Sequence, residues 1–184
     1  MIVEDFIKKK VLILFAHPAF EKSRVNKALI SDMKMIDGLY FHDLYECYPD
    51  FHIDIETEQR LLTEHDVIVF MYPLYWYSAP AIIKEWQDLV LTHGWAFGHE
   101  GNALKGKTTV NIITTGGPKE AFFHDDENRF TLREFLSPIE QTARLCKMNY
   151  VQPFTIHSTF GITDEILSAE KSRLYQFLNE IMNS

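Results

Sequence analysis

Short unbroken apolar runs, separated by amphipathic stretches, constrain this chain more than any other feature. Val11–Ala16 reads VLILFA and Val67–Met71 reads VIVFM. A strand with one wet face alternates apolar and polar residues. A continuous apolar run leaves neither face wet, so these segments belong in a sheet covered on both sides. From Ser23 onward, Val25, Ala28, Leu29, Met33 and Ile36 recur at helical spacing, and Gly38 supplies a stop. Leu39–Leu44 reads as a second strand, and Asp54 can cap a helix carrying Leu61 and Leu62 ahead of the strand at Val67–Met71. Pro80 suits a first helical turn, with Ile82, Ile83, Trp86, Leu89, Val90 and His93 at 3.6-residue spacing up to Gly94.

Thr108–Thr114 gives a fourth strand. Ser137-Pro138-Ile139-Glu140 reads as a capping box with proline at the first helical position, opening a helix through Cys146. Val151–His157 gives a fifth strand, and Leu167, Leu174, Phe177, Leu178 and Ile181 a closing amphipathic helix. Five strands alternating with five helices predict right-handed crossovers and a doubly wound parallel α/β sheet. At 184 residues, with no internal repeat or low-complexity linker, the chain is expected to be one domain whose first ten residues lead into the first strand.

Charge and cysteine usage exclude several functions. Twenty-six acidic residues against 18 basic ones give a formal charge of −8, the wrong sign for displacing phosphate counterions from nucleic acid. No apolar run reaches the ~18 residues of a membrane-spanning helix. Cys47 and Cys146 form no CxxC pair, so neither a disulfide scaffold nor a structural zinc site is expected, and a reducing cytoplasm is the expected compartment. The eight histidines include no HExxH, and no metal site is expected. Asp125, Asp126 and Glu127 read as an exposed turn. A phosphoacceptor receiver would carry acids after strands one and three, where this chain has His17 and Tyr72.

In a doubly wound sheet, ligands lie beyond the carboxyl ends of the strands, at the switch point of the winding. The loop after strand one holds neither GxGxxG nor GxxxxGK[ST]. It supplies His17, Ser23, Arg24 and Asn26, which at a helix N-terminus suit a terminal phosphate, although Ser23 as a plain N-cap and His17 as loop packing explain the same residues. After strand three, Tyr72–Pro80 packs four aromatics and two prolines into nine residues. Rigid aromatics on a loop can wall a flat ring or mark a protein contact. After strand four, Thr114-Thr115-Gly116-Gly117-Pro118 lets backbone amides approach a ligand edge. Together the three loops suit a molecule with a phosphate at one end and a flat polar heterocycle at the other, the shape of flavin mononucleotide.

The motifs ILFAHP, YPLYWYSAPAIIKEWQD, HGWAFG and TTGGP resemble those of the flavodoxin-like NAD(P)H:quinone oxidoreductases, the DT-diaphorase-type family. Within it, LYECYPDFHIDIETEQ and HGWAFGHEGNALKGK look most like the ancillary flavoprotein of the glutathione-gated Kef potassium-efflux system. The resemblance implies strand order 2-1-3-4-5 and a ping-pong, two-electron reaction carrying hydride from NAD(P)H through flavin N5 to a quinone. FMN is expected rather than FAD, because the chain lacks the long C-terminal extension of the larger FAD-binding members.

Implied for the flavin phosphate and ribityl chain are His17, Ser23, Arg24 and Asn26, and for the ring border Pro73, Leu74, Tyr75, Trp76 and Tyr77. Thr114, Thr115, Gly116 and Gly117 would meet the pyrimidine edge, their amides opposing charge on the reduced flavin. A homodimer is implied, with Trp95, Phe97 and His99 reaching the neighbour's substrate pocket beside Trp76 and Phe122. The family's charge-stabilising Tyr falls at Phe122, which cannot donate a hydrogen bond, and nearby His124 is the candidate for that role. The resemblance also admits azo or nitro acceptors, and a regulatory subunit docked on a potassium-efflux antiporter at the inner face of the membrane.

Overall fold

The computed structural model describes residues 8–124 and 129–184. The expected Asp125-Asp126-Glu127 turn therefore lies outside the described residues. The elements are β1 (Val11–Phe15), α1 (Arg24–Met33), β2 (Leu39–Asp43), α2 (Leu44–Cys47), α3 (Ile55–Glu64), β3 (Val67–Pro73), α4 (Ala81–Val90), β4 (Thr108–Thr114), α5 (Leu132–Leu145), β5 (Asn149–Tyr150), β6 (Phe154–Ile156) and α6 (Asp164–Met182). Two 3-10 turns, Phe20–Lys22 and Lys119–Phe122, sit in loops. The strands pair in parallel in the order β2-β1-β3-β4-β5, with β6 also on β4. The flavodoxin-like winding expected from the sequence is the one observed.

The strand pleat explains why the apolar runs are unbroken. Leu12, Leu14, Ile68, Phe70 and Tyr72 point to one face and pack with Leu61 and Leu62 of α3, Trp86 of α4 and Leu136 of α5. Val11, Ile13, Phe15, Val69 and Met71 point to the other and pack with Leu29 of α1 and Leu178 of α6. Alternate residues thus fill two separate cores. Asp54 caps α3 as expected, accepting from the Thr57 amide at 3.1 Å, and Gly38 takes φ +84 in the turn before β2.

Several boundaries differ from expectation: α1 ends at Met33, short of Ile36, and β3 runs on past Met71 to Pro73. Leu44, read as the end of a strand, opens α2, because the Asp43 side chain accepts from the amides of Tyr45 and Glu46 and turns the chain. Pro80 is the N-cap of α4 rather than its first residue, and that helix stops at Val90, before His93. The helix expected to open at Ser137-Pro138 begins six residues earlier. Thr131 and Glu134 form the capping box, and Pro138 lies inside α5. Pro138 has no N–H to give the Glu134 carbonyl, and the Ser137 hydroxyl donates to that carbonyl at 2.7 Å instead.

The fifth strand is the other correction. Tyr150 pairs with Thr109 and Phe154 with Ile112, so four residues advance on one strand against three on the other. Pro153 lies in the interruption, where it need not donate to the ladder.

Candidate active site

β1 and β3 are neighbours, but the chain leaves them for opposite faces, to α1 and to α4. This opens a crevice at their carboxyl ends. His17 is 6% exposed, and its Nδ1 accepts the Ala19 amide at 3.2 Å, so Nε2 carries the ring proton. Burial holds its pKa below the ordinary histidine value, against the opposing pull of a backbone hydrogen bond and Glu21. Ser23 precedes α1, and its Oγ accepts from the Asn26 amide at 3.2 Å and from Asn26 Nδ2 at 3.0 Å. Asn26 Nδ2 also reaches Thr114 Oγ1 at 3.3 Å, tying the loop after β1 to the end of β4. The second polar atom of that side chain, Oδ1, is buried without a hydrogen-bond partner among the described residues. A buried acceptor left open costs about 1–3 kcal/mol. Asn26 itself is among the residues that line the crevice.

The loop after β3 doubles back on itself. Tyr75 and Ser78 exchange two backbone hydrogen bonds of 3.0 Å, which leaves Trp76 and Tyr77 as the central residues at φ 49 and φ 63. Positive φ at two adjacent aromatics is costly, of order 1 kcal/mol or more each. The turn holds Trp76 93% exposed and sets Tyr77 against Phe135 in a tilted ring contact, centroids 5.0 Å apart. The amide of Leu74 donates to the Thr114 carbonyl at 2.8 Å, locking this loop to the next.

Beyond β4, Thr115 Oγ1 lies 2.9 Å from both the Gly117 carbonyl and His157 Nδ1. Among the described residues no acceptor takes the Gly116 or Gly117 N–H, so both can donate to a ligand. Gly116 also makes room: a Cβ there would stand 2.2 Å from the Phe160 ring. His157 is partly buried, and burial and Lys119 lower its pKa.

The crevice has two compartments. The first, about 430 Å3, is lined by His17, Ser23, Arg24, Asn26, Pro73, Leu74, Tyr75, Thr114, Gly116 and Phe160, among others. The second, about 280 Å3, is lined by Leu74, Trp76, Tyr77, Thr115, Gly116, Gly117, Ala121 and Phe122. Leu74 and Gly116 border both, so a polar end at the α1 N-terminus runs into an aromatic end.

The chain and its fold match a known group. Residues 9–178 match the Flavodoxin_2 model, described as a flavodoxin-like fold. This chain belongs to the Flavodoxin_2 family. A glutathione-regulated potassium-efflux system ancillary protein, KefG of Pectobacterium carotovorum, is 44% identical over 161 residues, 88% of each chain. The general stress protein 14 of Treponema denticola, solved in complex with FMN, superposes with a TM-score of 0.89 at 34% identity, covering 94% of this chain and 99% of that one. An NADPH-quinone reductase from P. pentosaceus superposes at 0.84 with 30% identity, covering 92% and 97%.

Within this Flavodoxin_2 chain the structure gathers most of the expected residues into one crevice. His17, Ser23, Asn26, Pro73, Leu74, Tyr75 and Thr114 fall in the first compartment, and Trp76, Tyr77, Thr115, Gly117 and Phe122 in the second. Arg24 lines the first, but its guanidinium is bound by the Asp164 carboxylate and the Ile162 carbonyl at the start of α6. His124 is exposed and lines neither compartment. Phe97 packs against the α3–α5 core with His93 on its ring, His99 is exposed, and neither lines the crevice of its own chain.

Sequence reasoning passed over Thr159, Phe160 and His157, which come after β6 and close the crevice from the far side. Thr159 and Phe160 line it, and the amides of Ser158 and Thr159 donate to the carbonyls of Gly117 and Thr115. The aromatic beside a glycine at Phe160-Gly161, after a strand, was the signal available. Among the described residues, no cluster of His, Cys, Asp and Glu is placed to hold a metal, and no helix is long and apolar enough to cross a membrane.

Proposed function

We propose that this chain binds FMN in the two-compartment crevice and acts as an NAD(P)H:quinone oxidoreductase. The observation that carries the reading is the buried, unpartnered Asn26 Oδ1 beside the α1 N-terminus, in a cleft that continues into an aromatic chamber. Ser23 and the first amides of α1 meet a phosphate by neutral hydrogen bonds and the helix dipole, which needs no free cation. Asn26 Oδ1 takes a hydroxyl of the sugar chain. The free N–H groups of Gly116 and Gly117 donate to the rim of a flat heterocycle and oppose negative charge there. Trp76, held exposed by its strained turn, covers the ring face and bounds the space for the second reactant. The bound flavin would supply two-electron transfer from NAD(P)H to a quinone in two half-reactions, one reactant leaving before the other enters.

The solved relative in complex with FMN and the NADPH-quinone reductase support this reading. We place FMN ahead of FAD, and a two-fold homodimer in which Phe97 and His99 of one copy close the aromatic chamber of the other. Likeness to the potassium-efflux ancillary protein favours a second role, docking on a membrane antiporter from the cytoplasm while the redox activity is retained. Azo and nitro compounds are competing acceptors for the same site.

The test is direct. Purified protein incubated with FMN should turn yellow, retain one flavin per chain after gel filtration, and oxidise NADH or NADPH when menadione is present. Protein that stays colourless and inert refutes the assignment. Comparing kcat/KM for menadione with that for azo and nitro dyes ranks the acceptors.

A further inference from the structure

A second group of reactive side chains lies where β2 runs into α2, outside the residues that line the crevice. Cys47 is exposed at the end of α2, with Sγ 3.7 Å from His42 Nδ1. The other imidazole nitrogen, Nε2, stands 2.7 Å from Glu58 Oε1, and both side chains are buried, 7% and 0% exposed. Glu58 also accepts from Tyr48 Oη at 2.6 Å and from Trp86 Nε1 at 2.7 Å. Burial alone would raise the Glu58 carboxyl, but the hydrogen bonds from His42, Tyr48 and Trp86 hold it below its ordinary value. The carboxylate can only accept, so Nε2 carries the imidazole proton and Nδ1 turns its lone pair to the thiol. Nucleophile, base and orienting carboxylate stand in line, with only the sulfur open to solvent.

We propose that Cys47 is a covalent capture site for soft carbon electrophiles, quinones and α,β-unsaturated carbonyls, with His42 as its general base and Glu58 as the residue that positions the imidazole. In the step, a carbon–sulfur bond forms at the β-carbon as the S–H bond breaks. The thiol proton passes to His42 Nδ1, and the alkene electron pair moves onto the carbonyl oxygen as an enolate, which His42 then protonates. The addition needs no oxidant or reductant. The site does not depend on the flavin reading, since none of the three side chains lines either compartment.

The charged groups facing the sulfur are Glu58 from α3 and Asp43 and Glu46 from its own segment, beside His42. Burial, then these carboxylates, push the Cys47 thiol up. An unassisted thiol here is therefore more fully protonated than free cysteine and reacts more slowly near neutrality. Base assistance reverses that order, so the two cases differ in sign.

The experiment is alkylation of the full chain by N-ethylmaleimide at pH 7, mapped by peptide mass spectrometry, with free cysteine as reference and buried Cys146 as internal control. Cys47 is expected to react at least about tenfold faster than free cysteine. The log of its rate should rise by less than one unit per pH unit, and Glu58→Gln should remove most of the acceleration. A Cys47 rate at or below that of free cysteine, a slope of one up to pH 9, or an unchanged rate in Glu58→Gln each overturns the proposal. An adduct that survives Cys47→Ser does so as well. Should Glu58→Gln not fold, the wild-type rate and its pH slope decide the matter without it.

Discussion

Replacing Glu58 by leucine should be among the most damaging single changes this fold can suffer, although the residue touches neither compartment of the crevice. The carboxylate is fully buried and accepts from His42, Tyr48 and Trp86 at 2.7, 2.6 and 2.7 Å. Leucine leaves all three donors facing hydrocarbon. At the lower end of the cost of an unsatisfied buried donor, about 1 kcal/mol each, the loss is about 3 kcal/mol. With a urea dependence of about 2 kcal/mol per molar, the unfolding midpoint should fall by about 1.5 M at unchanged slope. Equilibrium denaturation monitored by far-UV circular dichroism measures this. A drop under about 0.5 M would refute the view that this network holds α3, α4 and β2 together. Glu58→Gln should fall between: its amide oxygen serves His42 and Tyr48, while its NH2 confronts the Trp86 N–H. The pH dependence has a definite sign. The native carboxyl lies below its ordinary value, so its stabilisation is present above about pH 4 and is lost as pH falls through the lower native pKa. Glu58→Gln should flatten that acid limb.

The crevice makes its own predictions. Asn26→Asp sets a carboxylate at the phosphate end, and the FMN dissociation constant, read by flavin fluorescence, should rise at least about tenfold, less so at high salt. Replacing Trp76-Tyr77 by Asn-Gly relieves two positive-φ aromatics. The thermal midpoint should rise, by about 1 kcal/mol of stability, while turnover with menadione falls as the ring cover is lost. Phe160→Ala removes a 93% exposed ring, so stability should stay within about 0.5 kcal/mol while flavin dissociation quickens, because that ring lies against Gly116 in the cleft wall. His17, lowered by burial, stays neutral in the native state while the unfolded chain takes up a proton. Its contribution is intact above about pH 6.5 and lost as pH falls from there, so His17→Asn should reduce the slope of melting temperature against pH between about 6.5 and 5.

Much of the site was legible because a parallel sheet puts the loops after β1, β3 and β4 at one edge, whatever their details. His17, Ser23 and Asn26 on the first, Leu74 to Tyr77 on the second and Thr114 to Gly117 on the third could be found from the loop residues at the carboxyl end of each apolar run. Arg24 shows the limit of that reading. It lines the crevice as expected, while its pairing with Asp164, 140 residues away in sequence, is not visible in any local window. Phe160 was passed over because it comes after the broken fifth strand, whose bulge moves the loop after β6 against Gly116.

The amino-acid order alone determined the α/β class, the two buried faces of the central strands and the loops that meet at the sheet edge, because strand and helix periods and glycine or proline punctuation are local properties. Tertiary structure decided what depends on distant partners. Pro138 sits inside α5 because the Thr131–Glu134 box starts that helix earlier and Ser137 satisfies the carbonyl that the proline leaves open. Glu58, an ordinary acid on an amphipathic helix by sequence, becomes a buried carboxylate because β2, the residue after α2 and α4 each bring it a donor. No window of sequence contains His42, Tyr48, Glu58 and Trp86 as neighbours. Only the packing of three layers makes them so.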